Sequence, residues 1–115
     1  MSVRIYYDNA EYIAANPSGL NASTDDHTVN PADQTFVLLN YDEDVSVIAF
    51  AIADDASWLS TSVSGSNIPN EAPGVTVTAH FDTSALVKGT YTATITITTA
   101  GGTLLVPVAL VVEGG

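Results

Sequence analysis

The chain contains no cysteine, two basic residues (Arg4 and Lys88), one tryptophan and one methionine among 115 residues. Without cysteine there is no disulfide framework, no thiolate metal site and no thiol nucleophile, so the fold must be held by packing alone. Thirteen acidic side chains against two basic ones give a net charge of −11. A phosphate backbone or an anionic lipid surface would repel such a chain over a Debye length of about 10 Å, which excludes nucleic acid and membrane insertion as expected partners. No apolar run approaches the length of a membrane span. The N-terminal stretch Met1-Ser2-Val3-Arg4-Ile5-Tyr6-Tyr7-Asp8 lacks the basic start and apolar core of a secretory signal. The reading as written is a protein left in the cytoplasm where it is made; the alternative is a module cut from a longer secreted protein.

What is abundant is β-branched and aromatic sequence at regular spacing. The last quarter, Gly89-Thr90-Tyr91-Thr92-Ala93-Thr94-Ile95-Thr96-Ile97-Thr98-Thr99, then Ala100-Gly101-Gly102, then Thr103-Leu104-Leu105-Val106-Pro107-Val108-Ala109-Leu110-Val111-Val112, reads as two strands joined by a Gly-Gly turn. Further strands are expected at 35–41, 45–53, 58–62 and 75–81. Val75, Val77, Ala79 and Phe81 alternate with Thr76, Thr78 and His80, as Ala93, Ile95 and Ile97 alternate with threonines, so each strand buries one face and wets the other. Segments 45–53 and 104–112 are apolar at nearly every position, which predicts cover on both faces or an exposed apolar face seeking a partner. Pro107 lacks a ladder donor and predicts an edge position or a bulge. At this length roughly two-thirds of the unfolded surface can be buried, enough for one domain. The expected fold is an all-β, immunoglobulin-like antiparallel β-sandwich over residues 35–115.

Residues 1–34 read differently, as an N-terminal arm and linker. A short strand is expected at 3–7. Asp8 and Glu11 have capping-box spacing ahead of Tyr12-Ile13-Ala14-Ala15, and Pro17 stops any helix, so at most two turns are expected there. Residues 18–34 have turn and loop chemistry and read as a linker between the arm and the sandwich, and the first 34 residues together are expected to cover its apolar strands.

Ser57-Trp58-Leu59-Ser60, Gly65, the Asp82-Thr83-Ser84-Ala85-Leu86 turn, Gly89-x-Tyr91-x-Ala93-x-Ile95-x-Ile97 and the closing Val106-Pro107-Val108-x-Leu110-x-Val112 resemble the BACON family. That resemblance covers about residues 35–112 and implies an immunoglobulin-like sandwich of the kind found in bacterial and bacteriophage proteins and associated with carbohydrate binding. The first 34 residues have no counterpart in it, and loop 64–73 is longer than the family pattern. The family has no agreed ligand contacts to carry over.

Trp58 is the one indole, and an aromatic face suits the apolar face of a pyranose; packing in the sandwich core is the alternative. With Ser57 and Ser60 beside it, and Asn67 and Asn70 in the neighbouring loop, it forms the candidate ligand site. Ile5, Tyr6, Tyr7 and Tyr12 form a candidate docking arm. The acidic runs Asp25-Asp26, Asp42-Glu43-Asp44 and Asp54-Asp55 lack EF-hand spacing and read as solvated surface, so no metal or other cofactor is expected. The threonine ladder 92, 94, 96, 98 resembles the arrays of ice-binding surfaces, but a twisting sandwich sheet and ordinary β-propensity account for it. His27 and His80 fall in no metal or triad spacing, and no nucleophile elbow, phosphate loop or zinc motif occurs, so no enzyme is expected. The functional expectation is a surface-displayed structural and adhesive module, such as a bacteriophage virion decoration protein docked on a capsid or tail protein and contacting glycans. The alternative is a carbohydrate-binding module of a larger secreted bacterial protein.

Overall fold

In a computed structural model, described over residues 13–41, 47–69, 74–100 and 102–114, the chain folds into ten strands with no helix among the described residues. They are β1 (Ile13–Asn16), β2 (Leu20–Thr24), β3 (Gln34–Asn40), β4 (Val47–Ala49), β5 (Ala51–Asp54), β6 (Leu59–Val63), β7 (Asn67–Pro69), β8 (Val75–Phe81), β9 (Gly89–Thr99) and β10 (Gly102–Val112). One sheet has the order β1-β3-β8-β6, the other β2-β10-β9-β5, and β4 and β7 pair as a short ribbon. In immunoglobulin lettering these are the A-B-E-D and G-F-C sheets, with β2 added along the outer edge of β10. The immunoglobulin-like sandwich expected from alternation is therefore the observed architecture.

Each sheet contributes its alternate residues to one core. Phe36 and Leu38 from β3, Val75, Val77, Ala79 and Phe81 from β8, and Leu59 from β6 meet Ile95 and Ile97 from β9 and Val106, Val108, Leu110 and Val112 from β10. A side chain of this size contributes roughly 1.5–3 kcal/mol when fully buried, so this layer replaces the cross-links that a cysteine-free chain lacks.

Residues 13–24 correct the expected helix and linker. Ile13–Asn16 is strand, paired antiparallel with β3 from Ile13↔Asn40 to Asn16↔Val37. Four residues are too few for a stable helix, whereas β3 offers a ready row of ladder partners. After the cis Asn16–Pro17 peptide the chain changes sheet, and Leu20–Thr24 runs parallel to β10 from Val108↔Leu20 to Val112↔Thr24. Leu20, Ala22 and Thr24 point inward and Asn21 and Ser23 outward. This segment thus belongs to the sandwich: it adds an edge strand to each sheet and does not lie across either outer face. The strand expected at 3–7, the capping residues Asp8 and Glu11, and the docking residues Ile5, Tyr6, Tyr7 and Tyr12 lie outside the described residues.

Two further expectations change. The apolar run 45–53 divides at Phe50 into β4, which pairs with β7 through the buried Ile48↔Ile68 couple, and β5, which pairs with β9. Pro107 is in an interior strand, in register opposite Thr94 and without a bulge. The Thr94 N–H points away from β10, to the Asp55 carboxylate at 2.8 Å. Thr94 and Pro107 are therefore a non-hydrogen-bonded pair, and the donor that Pro107 lacks would face β2 one residue before that ladder begins. Gly19 fits there because a Cβ would come within 3.3 Å of the Pro107 ring and carbonyl.

Candidate functional site

Trp58 sits in the turn between β5 and β6 with 8% of its surface exposed. Its ring meets Tyr91 edge-on, with centroids 6.3 Å apart and planes at 65°. Its carbonyl accepts from the Asp82 N–H at 2.9 Å. The indole belongs to the hydrophobic core, which is the packing alternative stated for it and not the stacking platform. Ser57 and Ser60 are exposed beside it, Ser60 on the outer face of β6. Asn67 is exposed on β7. The length of β6, roughly 17 Å at strand rise, separates it from Ser57, so these residues do not converge. Asn70 lies outside the described residues.

A different constellation forms on the outer face of β3, β8 and β6. Because Val75, Val77, Ala79 and Phe81 fill the core, His80 must point outward, as the alternation predicts. Gln34 pairs with Ala79, which sets Asp33 across from His80 on one side; Ser60 pairs with His80 on the other. Asp33 Oδ2 lies 3.0 Å from His80 Nδ1. Ser62 Oγ lies 3.1 Å from His80 Nε2. Thr35 and Thr78 continue the hydroxyl surface in the next row. The sequence showed no such cluster because its members come from β6, from β8 and from the residue just before β3, which only the sheet register aligns.

Carboxylate, imidazole and hydroxyl stand here in the order of an orienting acid, a base and a nucleophile. Acyl transfer also requires donors aimed at a developing oxyanion and a site that excludes water. Strand N–H groups lie in the plane of the sheet, so they do not converge above Ser62. The His80 and Asp33 side chains are 42% and 55% exposed. The chemistry the arrangement offers is hydrogen bonding from a flat wet surface with a rigid backbone. His80 Nδ1 faces the Asp33 carboxylate and Nε2 faces the Ser62 hydroxyl, and which ring nitrogen donates is set by the tautomer.

The other histidine has a structural task. His27 Nδ1 lies 3.1 Å from the Ser84 carbonyl oxygen, joining loop 25–33 to the turn after β8. The buried Thr83 completes that joint, donating its hydroxyl to the His27 carbonyl at 2.7 Å and its N–H to Asn30 Oδ1 at 2.9 Å. Asp26 accepts from the N–H and hydroxyl of Thr28, and Asp82 from those of Ser84. These bonds favour the ionised carboxylates: the backbone N–H of Thr28 is the main cause at Asp26 and the Ser84 hydroxyl at Asp82, and both pKa values are lowered. Among the described residues no three acidic or histidine side chains converge as a metal site. An open recess of about 360 Å³ beside the start of β9 and the end of β10 is bordered by Lys88 and Glu113.

No family model matches the chain, and no curated protein matches its sequence. Among solved structures it is similar to the VesB protease of Vibrio cholerae, with 12% sequence identity and a TM-score of 0.52 over 87% of this chain. The match spans 31% of that protein's length. The likeness is one of fold.

Proposed function

We propose that this chain is a non-catalytic, surface-displayed structural and adhesive module that contacts glycans through the outer face of β3, β8 and β6. The observation that carries this reading is the cluster of Asp33, His80 and Ser62, with Ser60, Thr35 and Thr78 beside it. It supplies acceptors and donors on a surface whose backbone is held by the ladders of one sheet. Sugar hydroxyls are the complementary chemistry, and a flat site without a buried aromatic anchor gives weak single-site affinity that multicopy display would raise. The motif resemblance to a carbohydrate-associated family of bacterial and bacteriophage sandwiches supports a virion, with a capsid or tail protein as assembly partner. The strong negative charge would keep closely spaced copies soluble.

A second reading has one observation in its favour. The fold likeness to about a third of a longer chain suits a sandwich that serves as one part of a larger secreted bacterial protein. Sedimentation of the native material with mass-spectrometric detection separates the two. Co-migration with a large particle supports virion display, and recovery within a longer secreted polypeptide supports the second reading. Glycan-array binding that falls at least tenfold in His80→Ala and Asp33→Ala, with the fold retained, supports the proposed surface; binding unchanged in both variants refutes it.

A further inference from the structure

The segment that enters the sandwich and the strand that leaves it run side by side in one direction. β1 starts opposite Asn40, at the end of β3, while β2 ends opposite Val112, at the end of β10. The loop after β2 leads straight into the start of β3, so Ile13 and Glu113 stand at opposite ends of the strands. The Glu113 N–H donates to the Thr24 carbonyl at 2.9 Å, and Gln34 Nε2 donates to the Asn21 carbonyl at 2.6 Å. Strand alternation therefore directs the N–H and C=O of Leu20, Ala22 and Thr24 to β10, and those of Asn21 and Ser23 away from it. Beyond the strand ends the His27 N–H donates to the Gly114 carbonyl at 3.2 Å, which lengthens the connection. Leu20, Ala22, Val108, Leu110 and Val112 are buried beneath this ladder and keep water from its inner side.

We infer that the β2–β10 ladder is a shear clamp, and that a further function of the domain is to carry tension between the chain before Ile13 and the chain after Glu113. Pulling those two ends apart drives β2 and β10 past each other along their own axes. The five register pairs from Leu20 to Thr24 then share the load and yield together. β1 against β3, over four pairs, and β10 against β9, over eleven, are loaded in the same sense. A pull across the strands would instead open such bonds one at a time. Forced unfolding follows the height of the unfolding barrier, so this resistance is separate from the modest equilibrium stability of a cysteine-free domain. Resistance of this kind suits a displayed module pulled between its anchor and what it holds. The inference rests on strand direction alone and does not depend on glycan binding by the other sheet.

The test is single-molecule pulling of the full chain at one fixed speed, through introduced cysteines that are unique because the chain has none of its own. In one version a cysteine precedes Met1 and another follows Gly115. In the other, Val29→Cys, at an exposed site in the loop after β2, replaces the N-terminal attachment. That second geometry peels β10 from Val112 onward, across the strands. The unfolding force is expected to be at least twofold higher end to end than from Val29. Ala22→Pro deletes a ladder N–H, whereas Ser23→Pro deletes one that faces away, so the first should lower the end-to-end force more than the second. If Ala22→Pro does not fold, the comparison of pulling directions decides alone. A force ratio under two overturns the inference, as does an equal loss in the two proline variants.

Discussion

Tyr91 is tied at both ends of its hydroxyl to one residue: its Oη donates to the Val87 carbonyl at 2.6 Å and accepts from the Val87 N–H at 3.2 Å. This is the tyrosine corner of immunoglobulin-like sandwiches, in which a Tyr near the start of the F strand bonds back to the preceding turn. Two residues on, where antibody domains place a cysteine, stands the buried Ala93. Tyr91→Phe removes both bonds while keeping the ring against Trp58. A loss of about 0.5–1.5 kcal/mol is expected. Thermal melting should show a fall of several degrees with the circular dichroism spectrum unchanged.

Trp58→Ala is expected to act on stability and not on ligand contact. Emptying a buried indole site costs about 3–5 kcal/mol, a large share of the 5–15 kcal/mol that holds a typical domain. Urea titration should show the midpoint falling steeply. Since Trp58 is the one tryptophan, its fluorescence in the native protein should be blue-shifted and poorly quenched by iodide.

Ser62 is expected to be inert as a nucleophile. A fluorophosphonate probe should leave it unlabelled at neutral pH, and Ser62→Ala should hydrolyse an activated ester at the same rate as the parent protein. Stoichiometric labelling lost in Ser62→Ala would show that oxyanion donors assemble above the sheet after all.

Acid should loosen the loops at one end of the sandwich. Asp26 and Asp82 have folded-state pKa values below the ordinary aspartate value of about 3.9. Their contribution is thus fully present above that value and is lost as pH falls through the lowered folded values. Melting temperature followed downward from pH 5 should drop more steeply for the parent than for the Asp26→Ala, Asp82→Ala double variant, whose melting temperature is already lower at pH 5.

Gly74 should not accept a side chain. Its φ is +80°, and a Cβ would fall on the Leu38 carbonyl oxygen. Gly74→Ala is expected to cost more than about 1 kcal/mol, measured by chemical denaturation.

Alternation along a strand is a local property, and so the amino-acid sequence alone determined β3, β6, β8, β9 and β10 to within two residues at each end, along with the outward aim of His80. Apolar side chains two apart must share a face, whatever the rest of the chain does. Residues 20–24 carry only two apolar side chains among Asn, Ser and Thr; they become strand because β10 offers them a parallel ladder, a partner 88 positions away (108 minus 20). Pro107 read as an edge residue because the direction of its missing donor depends on which neighbour lies on each side. Trp58 suits either surface or core by its chemistry, and only the gap it fills beside Tyr91 settled its place. Asp33, Ser62 and His80 are unrelated letters until β6, β8 and the start of β3 come into register. What depends on spacing within one strand was written in the sequence, and what depends on the contact of one strand with another was decided by the tertiary structure.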